Sequence, residues 1–244
     1  MIPKIIHYCW LGKKPLPENL EIYINSWKKY LPEYEIILWD LEKFDIEKSL
    51  WVKQACDSKM YAFATDYMRL YALYNYGGIY LDTDVEVLKT FNDLLHLPYF
   101  IGKENTKYGI ESAILGVEKG CVWIKKCLDY YDHRNFIKES GVYDIEPLPS
   151  IMNKVIRANF NLISIPSIDK IDNNQENVYI LPLEYFSPKK WDDPSVLNLT
   201  CNTYTIHHFY GSWKKDKSKF NISNKNLLRN KIKKLIKKIF YVKN

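Results

Sequence analysis

The chain has 244 residues, 47% hydrophobic and 26% charged, within the range of one ordinary globular domain with a buried core. Its net charge of +6 is unevenly held: residues 214–244 carry twelve Lys/Arg against Asp216, a net +11, which leaves the body at −5. An acidic body argues against nucleic-acid binding and confines any anionic partner to the tail. Five scattered cysteines without paired spacing exclude a zinc ribbon or redox CxxC and predict reduced thiols in the cytoplasm. The opening MIPKIIHYCWLGKK is broken by His7 and is too short for a signal peptide or membrane span.

Lys4–Trp10 reads as a buried strand closed by Leu11-Gly12, and Asn19–Tyr30 places Leu20, Ile24 and Trp27 at helical spacing. Glu35–Trp39 is a second strand, so the succession predicts a βαβ unit of a parallel sheet covered by helices. Met60–Tyr76 is helical in pattern and stops at Gly77-Gly78, after which Ile79–Leu81 forms a strand running into Asp82-Thr83-Asp84. Phe100–Gly102 and Ser112–Val117 read as strands and Val122–Tyr131 as a helix. Ile163–Ile165, Val178–Leu181 and Thr203–His208 read as further strands, the last leading into HHFYGSW.

The chemistry centres on Asp82 and Asp84. Continued as a strand, this segment would direct both carboxylates to one face, at the carboxyl end where a parallel sheet presents ligands. Two hard oxygens suit Mn²⁺ or Mg²⁺ bridging a diphosphate leaving group. An Asp-x-Asp triplet is by itself a weak signal; after a buried strand, unpaired carboxylates are costly unless a cation neutralises them. Asp66 and Arg69, one helical turn apart, can form an intrahelical pair or face a ligand. His207 or His208 offers a third metal ligand, with Ser212 and Trp213 beside them.

These pieces resemble glycosyltransferase family 32, the group with a DXD-containing sugar-binding region. The likeness is carried by IPKIIHYCWLG at 2–12, SWKKYLPEYEIILWD at 26–40, FATDYMRLYALYNYGGIYLDTDVEVL at 63–88 and HHFYGSW at 207–213. It implies an α/β GT-A fold, a Rossmann-like mixed sheet flanked by helices, and transfer with retention of anomeric configuration. By the same likeness Trp10 would stack on the nucleotide base, and Asp66 and Arg69 would hold the donor's hydroxyls and phosphate side. Asp82 would touch donor hydroxyls and metal-bound water, while Asp84 would ligate the metal with His207, which matches the motif histidine. Ser212 and Trp213 would close over the diphosphate and sugar. The resemblance is faint over 100–200, where Glu104, Glu111 and Glu146 are candidate nucleophiles.

The resulting expectation is a metal-dependent hexosyltransferase taking a UDP-sugar (galactose, glucose or an N-acetylhexosamine) in preference to GDP-mannose. Its acceptor would be a glycan or lipid-linked glycan in bacterial surface polysaccharide synthesis. A toxin-like protein glucosyltransferase and a non-catalytic sugar-nucleotide-binding module are the alternatives. The catalytic domain is expected at 1–220 and a basic amphipathic helix at 221–244, where Leu228, Ile232, Leu235, Ile236 and Ile239 form one stripe suited to an anionic inner leaflet.

Overall fold

The computed structural model describes residues 1–12, 15–172, 174–189 and 199–210. In chain order the strands and helices are β1 (Ile5–Cys9), α1 (Glu18–Tyr30), β2 (Glu35–Trp39), α2 (Leu50–Asp57), α3 (Tyr61–Tyr76), β3 (Gly78–Leu81) and β4 (Val85–Val87). They continue as β5 (Tyr99–Ile101), β6 (Ile114–Val117), α4 (Val122–Asp129), α5 (Leu148–Asn159), β7 (Asn161–Ser164), β8 (Asn177–Ile180), α6 (Leu183–Phe186) and β9 (Thr205–His207).

Five strands form one sheet in the order β2-β1-β3-β6-β5. β2, β1 and β3 run parallel, whereas β6 and β5 are antiparallel to their neighbours, so the class is α/β with a mixed sheet flanked by helices. The central β3 is buried along its whole length, GIYL, which fits a strand covered on both faces. Helix α3 packs along β1, β3 and β6; α2 and α4 lie against α3, and α5 against α4. Two small ladders complete the fold, β4 antiparallel to β9 and β7 parallel to β8.

Helix and strand are joined by Gly77 and Gly78, at φ 66° and 100°. A Cβ at Gly77 would stand 2.6 Å from the Lys119 nitrogen and one at Gly78 2.7 Å from the Ile5 carbonyl oxygen, so both the turn and the close approach require glycine. Buried His7 braces the same junction: its Nε2–H donates to the Gly77 carbonyl at 2.8 Å, and its Nδ1 accepts from Trp39 Nε1 at 3.1 Å.

One expectation is corrected. Asp82–Asp84 do not continue β3; they form a turn, closed by Val85 N donating to the Asp82 carbonyl at 3.0 Å. The chain leaves the main sheet there because β4 finds its partner in β9, 118 residues or more downstream by register Val87↔Thr205, and not in β1 or β6. Trp27, fully buried on α1, fixes the exit by donating from Nε1 to the Val85 carbonyl at 2.7 Å. Helices α2 and α5, absent from the pattern-based reading, are short and rely on tertiary packing. The 221–244 helix lies outside the described residues.

Burial holds the His7 imidazole neutral, its pKa lowered from 6.5 to about 4. Between those two values the unfolded chain binds the proton and the native chain does not, so acidification withdraws stability, by about 3 kcal/mol at most. Urea denaturation from pH 7 to 5 should therefore show wild type losing stability relative to His7→Gln as the pH falls.

Candidate functional site

The site is built where β3 ends. Arg69, on α3 and almost wholly buried, reaches three ways: its guanidinium pairs with Asp66 at 3.3 Å and Asp82 at 3.2 Å, and donates to the Ser112 carbonyl at 2.7 Å. It also lies over the Tyr80 ring, 4.6 Å from the centroid. The Tyr80 hydroxyl donates to Asp82 Oδ1 at 2.9 Å, so Asp82 is held from behind by a cation and a phenol. Burial pushes the Asp66 carboxyl up to about 7 despite the opposing pull of Arg69. Asp66 and Arg69 are thus an i,i+3 pair that also faces Asp82.

Asp84 has different company. Its Oδ2 accepts from the Tyr210 backbone N–H at 2.7 Å, and its Oδ1 stands 3.6 Å from His207 Nε2. On the other edge of the imidazole, His207 Nδ1 lies 3.3 Å from Glu111 and 3.8 Å from Glu104. Burial disfavours the imidazolium, but Glu111 and Asp84 outweigh it and raise the His207 pKa well above the ordinary value. The same proton-bearing ring holds Asp84 and Glu111 low against the cost of their own burial. Glu104 responds oppositely: burial and the Glu111 charge push its carboxyl up to about 8.

His207 and His208 part company at the end of β9. His208 bonds Glu86 through Nε2 at 2.8 Å and stacks on Tyr23 with centroids 4.4 Å apart, so it belongs to the β4–β9 surface and not to the carboxylate cluster. Trp10 follows β1 directly, half-buried, with its backbone N–H on the Trp39 carbonyl at 3.1 Å. Glu146 is engaged elsewhere, by Tyr130, Ser150 and Lys154. Ser212 and Trp213 lie outside the described residues.

Asp82, Asp84 and His207 offer ligand atoms that all lie within 4.8 Å of one another. Two hard carboxylates with one imidazole suit Mn²⁺ or Mg²⁺. Glu104, Glu111 and His207 meet the same distance, but one imidazole nitrogen faces each group. Glu111 is fully buried and its Oε1 already accepts from Ala113 N at 2.7 Å, so the roomier aspartate side is the one fitted to take a cation. Glu111 and Tyr80 are contacts that local sequence patterns miss: Glu111 stands 96 residues from His207, and Tyr80 reads as an ordinary core aromatic.

Replacing Arg69 with Met would leave Asp66 and Asp82 facing each other without their cation. The expected loss of stability is about 3–5 kcal/mol at pH 8, above the Asp66 value of about 7. It should shrink at pH 5, since protonating Asp66 removes the repulsion; urea midpoints at the two pH values, compared with wild type, measure it.

Residues 17–101, which include the Asp82-Thr83-Asp84 turn, match the family model described as the glycosyltransferase sugar-binding region containing DXD motif. Inositol phosphoceramide mannosyltransferase 3 of Schizosaccharomyces pombe is 34% identical over 126 residues, 49% of this chain and 34% of the relative. A glycosyltransferase of Acanthamoeba polyphaga mimivirus is 25% identical over 223 residues, 87% of this chain and 84% of its own. Lactosylceramide 4-alpha-galactosyltransferase of Pan troglodytes is 26% identical over 212 residues, 80% of this chain and 56% of the relative. The chain therefore spans about a third of the fission-yeast relative's length and about half of the chimpanzee one's. The likeness to glycosyltransferases that carry a DXD motif thus rests on residues 17–101 and on the relatives that share them.

Proposed function

We propose that the chain transfers a hexose from a nucleoside-diphosphate sugar to a hydroxyl of a glycan or glycolipid, with a divalent cation held by Asp84 and His207. The observation that carries this reading is the convergence of Asp82, Asp84 and His207 at the mouth of a parallel β-strand, with the two aspartates inside the matched DXD region. Bound Mn²⁺ or Mg²⁺ would neutralise charge on the departing diphosphate. Asp82, already braced by Arg69 and Tyr80, presents its exposed edge to donor hydroxyls, and Asp66 extends the same polar wall. Trp10 provides the base-stacking surface, and a closing role for Ser212 and Trp213 rests on the family likeness alone.

In the transfer, the acceptor oxygen forms a bond to the anomeric carbon as the bond from that carbon to the diphosphate oxygen breaks. The electron pair leaves with the nucleoside diphosphate, and the hydroxyl proton passes to a diphosphate oxygen. Retention of configuration follows if attack comes from the leaving-group face. Pre-organised orientation by Arg69, Asp82 and Asp84 supplies much of the rate, because these groups need no rearrangement as charge develops.

UDP-galactose, UDP-glucose and their N-acetyl forms head the list of donors, and the mannosyltransferase among the relatives adds GDP-mannose to the panel. Two relatives are named for sphingolipid acceptors, which supports a glycolipid or lipid-linked glycan here, such as one used in surface polysaccharide synthesis. No helix among the described residues is long and apolar enough to cross a membrane. The basic stripe of 225–240 would bring the enzyme to an anionic surface on the cytoplasmic side, as a peripheral protein.

Glu111 has a supporting part. With Nε2 of His207 turned to the metal, Nδ1–H donates to Glu111, which fixes the tautomer and the ring plane. Calorimetric titration with Mn²⁺ and a panel of UDP- and GDP-sugars should find one donor whose binding requires the metal, and Asp84→Asn should abolish that dependence. Glu111→Gln should weaken Mn²⁺ binding by roughly 10–100-fold while the protein stays folded. A folded wild type that binds no donor in the presence of metal would refute the transferase reading. Deleting 221–244 should reduce co-sedimentation with vesicles containing anionic lipid and leave donor binding intact; unchanged partition would remove the tail from the account.

A further inference from the structure

Three contacts of Asp84 come from one short stretch of chain. Its backbone carbonyl accepts from the His208 N–H at 3.0 Å, its Oδ2 accepts from the Tyr210 N–H at 2.7 Å, and its Oδ1 faces His207 Nε2 at 3.6 Å. Residues 207–210 thus form a hook around the second aspartate of the DXD turn. The hook bends at Phe209, whose φ of 53° lies in the left-handed region and whose ring packs on His207 with centroids 4.0 Å apart. Extended backbone there would run on past Asp84 at about 3.3 Å per residue; the bend is what turns the Tyr210 N–H onto the carboxylate. A bulky L residue holds such a conformation only where its surroundings over-determine it.

The β4–β9 ladder alone is a thin support, three residue pairs long from Val87↔Thr205 to Val85↔His207. His208, the residue between His207 and the bend, carries a further restraint. Its Nε2–H donates to Glu86 at 2.8 Å, its Nδ1 accepts from Lys189 Nζ at 3.4 Å, and its ring stacks on Tyr23 with centroids 4.4 Å apart. A carboxylate at one nitrogen and an ammonium at the other fix the tautomer. Helix α1, strand β4 and the chain after α6 therefore converge on this one side chain. Glu86 pairs with Ile206 in the ladder, so Glu86 and His208 are diagonal neighbours on the face opposite Val85 and His207. Neither belongs to the carboxylate cluster, and their influence on it runs through the backbone of the hook.

We propose that Glu86 and His208 are positioning residues of the metal site: the bond between them keeps the 207–210 hook closed and so sets the separation of Asp84 from His207. This rests on the reading of Asp84 and His207 as the metal pair. The hook has two conditions, closed with the Tyr210 N–H on Asp84 or released with Phe209 relaxed to extended backbone. Only the closed one presents both ligands together, so the apparent affinity for a cation falls by the fraction of molecules in which the hook is closed. Both side chains keep contact with water, Glu86 at 37% and His208 at 18%, so truncating either strands no buried charge.

Two readouts on the full chain test the proposal. Amide hydrogen exchange, followed by NMR without metal, reports the closed hook through the Tyr210 N–H; Glu86→Ala and His208→Ala should each speed it at least about tenfold and leave the amides of β3 unchanged. Mn²⁺ titration, followed by the paramagnetic resonance of the free ion, should show each variant binding about tenfold more weakly, the low end for groups that act behind a metal ligand. The double variant should be no weaker than either single one, since both remove the same bond. Glu86→Gln keeps an acceptor for the imidazole and should stay within about threefold of wild type, a neutral bond retaining about half the strength of a charge-assisted one. A pair with a merely structural part would shift the urea midpoint and leave Tyr210 exchange and Mn²⁺ affinity at wild-type values, which overturns the proposal. A loss in His208→Ala far beyond that in Glu86→Ala would overturn it as well, by making His208 a ligand in its own right. Failure of wild type to bind Mn²⁺ would instead strike the metal reading, and the exchange rates tell that failure apart from a failure of the hook.

Discussion

Arg69 is a cation placed where water scarcely reaches, and the surrounding structure meets its terminal nitrogens while Nε finds no hydrogen-bond partner among the described residues. A guanidinium in such a position is tolerable only if carboxylates and carbonyls meet its fork, and here Asp66, Asp82 and the Ser112 carbonyl do so from a helix, a strand end and a loop. That arrangement determines where α3 may lie against β3 and β6, and it orients the first aspartate of the DXD turn before any ligand arrives. The attraction is offset by desolvation, so the cluster's value lies less in net stability than in holding three segments in one relation.

The second aspartate depends on a different device. Asp84 sits on a turn, and its partner His207 comes from the end of β9, which pairs with β4 in a ladder separate from the main sheet. The imidazole is shared, one nitrogen toward Asp84 and the other toward Glu111 and Glu104. Without a bound cation the ring's own positive charge favours ionised Asp84 and Glu111, while burial and the Glu111 charge favour a protonated Glu104. If a cation is bound, the same geometry would present it a neutral nitrogen, with Nδ1–H donating to Glu111 on the far side.

Much of this was legible in advance. The strand-helix-strand opening, α3, the Gly-Gly stop and β3 follow from periodicity and turn chemistry, and they appear within a residue or two of the expected bounds. The pairing of Asp66 with Arg69 follows from helical spacing alone. What was not legible involved long loops in contact space. Glu111 read as one of three candidate nucleophiles, and only folding shows that it meets His207 and that Glu146 is held by Lys154 and Ser150 instead. Helices α2 and α5 escaped because short segments owe their helicity to packing that no local pattern records.

The sequence by itself determined the α/β class, the order of the first elements, the acidic pair after a buried strand and the basic tail, because these depend on spacing along a few residues. Tertiary structure decided that the acidic pair lies on a turn and not in a strand, since β4 exchanges the main sheet for β9. It also decided which of two adjacent histidines joins the cluster. Successive residues leaving a strand point to opposite sides, and only the position of β9 against β4 says which side is the site.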